Sequence, residues 1–142
     1  MRALIAGALI ALGIGGAASA ADTASLTIKV INVSDRGGDL RIGVYEQASF
    51  VVRGSKPDAG KIVPATPGTM SVTIDGLKPG EYGVKILQDE NRNGRMDTSL
   101  MVPTEPWGVS NDAKASLAGP PSWDAAKFTV RAGSNSIAVT LH

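Results

Sequence analysis

The chain alternates between apolar and polar residues in six short segments, and this period of two is typical of strands with one buried face. Turn residues (Gly, Pro, Asn and Asp) separate the segments at regular spacing, which favours antiparallel strands in a sandwich. The predicted strands cover residues 26–33, 40–45, 70–75, 82–87, 127–131 and 136–141. The pattern therefore predicts an all-β fold, a single antiparallel β-sandwich of about seven strands, in which the seventh is a short edge strand within residues 50–67.

One long segment, residues 89–126, breaks the alternation and is expected to be an irregular loop. It holds Trp107 and Trp123, which argue against disorder, and a loop of this length in a compact domain usually carries function. The two tryptophans are expected to pack the loop onto the sandwich, although aromatics beside prolines can also form a peptide- or glycan-binding surface. Residues 122–127 predict one helical turn, and residues 132–135 predict a hairpin connection between the last two strands.

The N-terminus has the pattern of a Sec-type signal peptide, covering residues 1–20. Arg2 provides a positive charge, an uncharged Ala/Leu/Ile-rich run follows, and Ala18-Ser19-Ala20 is a small-residue cleavage site. The apolar run is too short for a membrane-spanning helix, which needs about 20 residues. We expect cleavage near Ala20, a periplasmic or secreted protein, a single domain over residues 21–142, and no transmembrane segment after cleavage.

Composition narrows the possible partners of the mature chain. Removing Arg2 from the 14 basic residues leaves 13, equal to the 13 acidic residues, so neither nucleic acid nor electrostatic membrane binding is expected. The absence of cysteine excludes disulfides and leaves a bound ion as one alternative way to stabilise the fold. Zinc is disfavoured because it prefers Cys and His ligands and His142 is the only histidine.

Residues 89–97, the acidic loop, follow the spacing of an EF-hand-type calcium loop. Calcium takes six to eight oxygen ligands, from alternate side chains, a backbone carbonyl and a bidentate glutamate, with a glycine at the sharp turn. Gly94 occupies the turn position, and Leu100 stands where the glutamate is expected. The candidate ligands are Asp89, Asn91, Asn93, the Arg95 carbonyl, Asp97 and, folding back from outside the loop, Glu105.

The same residues have a plainer interpretation as a turn, in which Asn and Asp side chains cap their own backbone. If calcium binds, two carboxylates opposed by Arg92 and Arg95 predict weak affinity, at a Kd of about 10⁻⁴ to 10⁻³ M. Acid–base catalysis by Asp97 and Glu105 is a further possibility, but no nucleophile–base–orienter set is visible and a Ser–His–Asp site would require His142. The sequence therefore does not predict an enzyme.

Two sets of motifs carry family resemblances. The segment Gly76-Leu77-Lys78-Pro79-Gly80-Glu81-Tyr82 resembles a turn of transthyretin-like and carboxypeptidase-regulatory-like β-sandwich domains, and Leu77 and Tyr82 are expected in the core. The acidic loop, followed by Pro103-Thr104-Glu105-Pro106-Trp107-Gly108 and Gly119-Pro120-Pro121-Ser122-Trp123, resembles the domain of unknown function 2141 family, small exported bacterial proteins. This second resemblance implies a transthyretin/prealbumin-like sandwich and no established activity. The chain departs from the family pattern at Gln88 and Val102, where a histidine and a glycine are expected.

These observations favour a structural or binding module of the cell envelope that presents the long loop to an envelope protein or a polysaccharide. Ca²⁺ is the one cofactor indicated, at the acidic loop. The alternative is an enzyme of unrecognised type that uses the loop carboxylates.

Overall fold

The computed structural model describes residues 22–117 and 119–142. The predicted signal peptide and its cleavage site near Ala20 lie outside these residues. The described strands are β1 Ala24–Val33, β2 Asp39–Tyr45, β3 Ala59–Pro64, β4 Gly68–Leu77, β5 Gly80–Asp89, β6 Thr98–Ser99, β7 Val102–Pro103, β8 Trp107–Val109, β9 Phe128–Val130 and β10 Gly133–Thr140. The helical turns are α1 Gln47–Phe50, a 3₁₀ turn Ser110–Asp112 and α2 Trp123–Ala126.

The strands form two main sheets and one separate hairpin. The first sheet has the order β10-β1-β4, and the second has the order β3-β2-β5-β8, with β9 also pairing with β5. Strands β6 and β7 pair only with each other. The predicted all-β fold is confirmed, and every strand pair described is antiparallel except β1 with β10, which run parallel.

The main hydrophobic core lies between the two sheets, as in a β-sandwich. Its members come from β1, β4 and β10 on one side and from β2, β5 and β9 on the other. In β1 the residues Leu26, Ile28 and Val30 are fully buried while the intervening positions are more exposed, because successive strand residues point to opposite faces. Leu77 and Tyr82 are also buried, as the turn motif predicted.

The hairpin predicted at residues 132–135 is wrong. Strand β9 pairs with β5 in one sheet, whereas β10 pairs with β1 in the other, so this connection crosses between sheets. Asn135 fixes the crossing: its Oδ1 accepts from the Arg131 N–H at 2.9 Å, and its Nδ2 donates to the Ser25 carbonyl at 3.1 Å. The alternation of apolar and polar residues identified both strands, but it does not indicate which strands pair with each other.

Two features of the irregular regions match the prediction. The expected edge strand is β3, paired with β2, and the expected helical turn is α2, where Ser122 Oγ accepts from the Ala125 N–H at 3.2 Å. Trp123 is buried and packs edge-on against Phe50, with ring centroids 5.5 Å apart. Together with Val109 and Ala126 these rings form a second apolar cluster that holds the long segment on the sandwich.

Candidate functional site

The acidic loop begins at the C-terminal end of β5, beside the start of β2. Antiparallel pairing places Asp39 opposite Asp89, and the preceding Gly38 lies so close that a Cβ there would be 2.2 Å from the Asp89 carbonyl oxygen. Only glycine fits this contact, since real Cβ atoms do not approach backbone so closely and Gly38 also has a φ of +83°. The loop is thus held against the β1–β2 turn.

Asp89 is fully buried and closes the loop on itself. Its Oδ1 accepts from the Asn93 N–H at 3.1 Å and its Oδ2 from the Gly94 N–H at 2.7 Å. Gly94 has a φ of +82°, a conformation that side chains disfavour. The carboxylate at the first loop position therefore binds the backbone at the sharp turn, and its remaining lone pairs are the ones available to a cation.

Asn91, Asn93 and Asp97 converge above this buried carboxylate. Both asparagine side chains donate Nδ2 hydrogen bonds to the Asp97 carboxylate, Asn93 at 2.7 Å. Their Oδ1 atoms cap the loop backbone, accepting from the N–H groups of Asn93 at 3.2 Å and Arg95 at 3.1 Å. The structure thus brings three of the predicted ligand residues together, with the amide nitrogens of both asparagines facing Asp97 and their oxygens capping the loop backbone.

The hydrogen bonds from Asn93 and Asn91, in that order of size, lower the pKa of Asp97 below its ordinary value of 3.8. Hydrogen bonds to a carboxylate favour its charged form. Asp97 is therefore an anion at neutral pH, as a calcium ligand must be.

Glu105 is buried beneath the loop and fastens both of its ends. Its Oε2 accepts from the Glu90 N–H at 2.8 Å, and its Oε1 accepts from the Asp97 N–H at 2.9 Å. The side chain is 5% exposed. Sequence analysis predicted Glu105 as a ligand that folds back. It does fold back, and each of its oxygens already holds one backbone hydrogen, so a ligand role would use the remaining lone pairs.

Three arginines surround the loop. Arg36 pairs with Glu90 at 2.9 Å, Arg92 pairs with Asp39 at 3.2 Å, and the Arg41 Nη1 lies 3.8 Å from the Asp89 carboxylate. Sequence analysis named Arg92 and Arg95 and missed the other two. Arg41 lies two residues from Asp39 in β2, so the pairing of β2 with β5 would have revealed it.

Gln88 is a further buried polar residue beside the loop, and sequence analysis did not assign it to the site. Its side chain is fully buried, accepts from the Ser34 N–H at 2.8 Å, and donates to the carbonyls of Ser34 at 3.1 Å and Gly37 at 2.9 Å. It ties the β1–β2 turn to β5. Gln88, Asp89 and Glu105 together form a buried polar floor, which we call the loop base.

The donor set around the loop is composed of oxygens, which suits a hard cation. A depression of about 400 Å³ opens over it, lined by Arg36, Glu90, Asn91, Asp97, Thr104 and Glu105. Among residues 22–117 and 119–142, no group of three His, Cys, Asp or Glu side chains is placed to hold one metal. Any ion here would depend on amide and backbone oxygens as much as on carboxylates.

Beyond the loop, β6 and β7 form a short hairpin whose tip is apolar. Leu100 and Met101, the hairpin tip, join the paired residues Ser99 and Val102, and the tip residues are 95% and 94% exposed. Their φ angles are +51° and +68°. Two positive φ angles in a two-residue hairpin loop are typical of a type I′ turn, which Asn-Gly normally occupies. Non-glycine residues in this region cost of order 1–3 kcal/mol each and cluster at functional sites.

A second, smaller pocket of about 250 Å³ lies beside the 3₁₀ turn, lined in part by Trp107, Lys114 and His142. His142 Nε2 is 2.7 Å from Asp112 Oδ1, and this hydrogen bond, followed by that of Lys114, lowers the pKa of Asp112. The described residues that line this pocket include no serine, threonine or cysteine. The geometry pairs His142 with an acid but brings no hydroxyl or thiol nucleophile into this lining.

No helix within the described parts of the chain is long and apolar enough to cross a membrane. No curated protein and no solved structure matches the sequence. A family model described as an uncharacterized protein conserved in bacteria, DUF2141, matches residues 28–138. This range includes the acidic loop and its base. The chain therefore belongs to the DUF2141 family.

Proposed function

We propose that this protein is an exported binding module of the bacterial cell envelope whose acidic loop, residues 89–97, is a weak calcium site. The convergence of Asn91, Asn93 and Asp97 is the single observation that carries the proposal. These are the third, fifth and ninth positions of the loop, and Asp89 at the first position binds Gly94 at the sixth. Such an arrangement matches the spacing of an EF-hand-type loop.

The ion would replace amide hydrogens at the Asp97 carboxylate. Without a cation, the Nδ2 groups of Asn91 and Asn93 supply the positive partners of Asp97. With calcium, Asp97 would ligate the ion directly, and the asparagine Oδ1 atoms would use their second lone pairs. The Arg95 carbonyl, Asp89 and Glu105 would complete the set of oxygens.

The charge around the loop argues for weak binding. Arg41 lies near the buried Asp89, and Arg36 already neutralises Glu90. A Kd of about 10⁻⁴ to 10⁻³ M belongs to the extracellular range of calcium modules. Such a site suits an exported protein, where calcium reaches millimolar concentrations, and it would order the loop for an envelope protein or a polysaccharide.

A binding module accounts for the loop better than an enzyme does. Asp97 and Glu105 both line the depression over the loop, but an acid–base pair would also need oxygens free to exchange a proton with a substrate. Both Glu105 oxygens instead bind backbone N–H groups beneath the loop, and Asp97 is capped by two amides. Carboxylates held in this way serve to build and close a loop.

Thermal unfolding of the mature domain tests the proposal, first in excess chelator and then with about 2 mM calcium at constant ionic strength. Stabilisation by RT ln(1 + [L]/Kd) gives about 0.6–1.8 kcal/mol at that concentration, which is a rise of a few degrees in Tm. Asp97→Asn should abolish the rise. Asp75→Asn is the matched control, because Asp75 is an exposed carboxylate of β4 in the other sheet.

Equal melting temperatures in chelator and calcium would leave the loop as a side-chain-capped turn and overturn the proposal. Asp89→Asn is a poorer test, since it would also disturb the buried hydrogen bonds to Asn93 and Gly94. Export is tested separately by mass spectrometry of the protein from envelope fractions, where a mature chain that begins near Ala21 is expected and an intact Met1 would contradict cleavage.

A further inference from the structure

The hairpin tip exposes more apolar surface than its short length would suggest. Leu100 and Met101 are 95% and 94% exposed, and Val102 beside them is 63% exposed. Single exposed apolar residues are ordinary, whereas three consecutive ones that are exposed together form a small apolar patch, which needs a second observation before a role is assigned to it.

The backbone gives a second, independent reason to assign a role to these residues. Both tip residues adopt positive φ angles, where glycine or asparagine would be favoured. Leucine and methionine are unfavourable in this turn, and side chains this exposed do not contribute to the packing of the sandwich. Their side chains therefore serve something that lies outside the fold.

The base of the hairpin is tied to the acidic loop by strand pairing and hydrogen bonds. Thr98 pairs with Pro103 and Ser99 with Val102, and the Thr104 N–H donates to the Asp97 carbonyl at 2.9 Å. Glu105 fastens the Asp97 N–H from below. The tip therefore projects from a fixed base.

We propose that the hairpin tip inserts into the acyl boundary of a lipid bilayer. Three large apolar side chains bury roughly 200–350 Å² when they leave water, whereas a standard protein interface buries about 800 Å² on each partner. A convex tip of this size is too small for a stable dimer but is sufficient for shallow, reversible insertion into a bilayer.

The charges near the tip are mixed and do not select the membrane surface. Arg92 and Arg95 are exposed on the preceding loop, but Arg92 pairs with Asp39 and the Asp97 carboxylate lies at the base of the hairpin. The balanced net charge predicts no electrostatic membrane binding by the chain as a whole, but apolar insertion of a single hairpin does not require net charge. The proposal does not depend on calcium and is tested in chelator.

The chain has no cysteine, so a single introduced thiol can report on one position. Met101→Cys, labelled with an environment-sensitive fluorophore, is mixed with vesicles of phosphatidylethanolamine and phosphatidylglycerol. Val51→Cys is the matched control, because Val51 is 61% exposed and follows α1. Phe50 of that helix packs at Gly83, near the N-terminal end of β5 and away from the hairpin.

Insertion predicts a blue shift of the label at residue 101, with quenching by brominated acyl chains, and no change at residue 51. Adding Leu100→Asn should weaken the partitioning about tenfold or more, as expected for the loss of one buried apolar side chain, with the circular dichroism spectrum unchanged. Equal signals at both positions, or binding unaffected by Leu100→Asn, would overturn the proposal. A blue shift at residue 101 that grows with protein concentration and needs no vesicles would overturn it in favour of contact with a second copy.

Discussion

The sandwich and the region from Gln88 to Glu105 follow opposite rules of burial. In the sandwich, apolar residues such as Leu26 and Val84 are fully buried and polar residues face outward. In the loop region, the polar Gln88, Asp89 and Glu105 are buried, while Leu100 and Met101 are exposed. The first arrangement is what folding favours, and the second is expected where the chain is shaped for a ligand or a surface.

The two regions are therefore held together by different forces. Removal of apolar area from water stabilises the sandwich and needs no exact geometry. The loop base depends on directed hydrogen bonds to charged groups, which are costly to leave unmade once they are buried. Substitutions in the two regions should differ in size, in sign and in their dependence on pH.

Truncation of the sandwich core should have the largest effect. Leu26→Ala removes a fully buried side chain of β1 and should reduce the free energy of unfolding by about 2–5 kcal/mol, through lost transfer energy and a cavity. Urea unfolding followed by circular dichroism measures it. Val51→Ala, at a position 61% exposed, should stay within about 0.5 kcal/mol of the parent. Similar losses for both variants would contradict the assignment of the core.

Glu105→Gln should destabilise the domain less, by about 1–3 kcal/mol, because a neutral amide replaces a carboxylate that accepts two buried backbone hydrogen bonds. One end of the loop loses its acceptor, so amide hydrogen exchange should accelerate at Glu90 or Asp97 before it does in the sandwich. Glu81→Gln is the control, since the Glu81 side chain is 55% exposed. Unchanged stability and exchange in Glu105→Gln would show that the loop base does not hold the loop.

Replacing the hairpin tip should act in the opposite direction. Leu100→Asn combined with Met101→Gly suits the positive φ angles of the turn and should raise the free energy of unfolding by about 0.5–1.5 kcal/mol. Chemical denaturation compares it with the parent. A loss of stability would mean that the exposed side chains contribute to the fold, and the contrast between the two regions would fail.

The smallest effect is expected from Asp97→Asn under acid conditions in chelator. Because the folded pKa of Asp97 is lowered, its contribution is present above the ordinary pKa of 3.8 and is lost as the pH falls through the folded pKa. Between about pH 5 and pH 2.5, the parent should therefore lose more stability than Asp97→Asn. If the stability of the parent and of Asp97→Asn depended on pH in the same way, the hydrogen bonds from Asn91 and Asn93 to Asp97 would not contribute to stability.

Sequence analysis located the long strands because apolar and polar residues alternate along a strand that has one buried face. Strands β6, β7 and β8 are two or three residues long, too short to show a period, and they were missed. The parallel pairing of β1 with β10 and the crossing at Asn135 were missed because partners are set by contacts between distant residues.

The candidate site divides in the same way. The local spacing of Asn91, Asn93 and Asp97 predicted that they lie together, and hydrogen bonds between residues a few positions apart do bring them together. Their role as metal ligands stays a prediction. The burial of Asp89 and Gln88 could not be predicted, because it depends on how β2 and the β1–β2 turn pack against β5. The spacing of oxygen-bearing side chains within the loop can be predicted from the sequence, whereas the loop base forms only when distant segments of the chain pack together.

Calcium titration of the ¹⁵N-labelled mature domain, followed by NMR, tests the central claim most directly. The account predicts saturable shifts of the backbone amides of Asn93, Gly94, Arg95 and Asp97 and of the Asn91 and Asn93 side-chain amides, with a Kd of about 10⁻⁴ to 10⁻³ M. Asp97→Asn should abolish these shifts, and Asp75→Asn should retain them. Uniform small shifts across the domain, or saturable shifts centred away from residues 89–97, would contradict it.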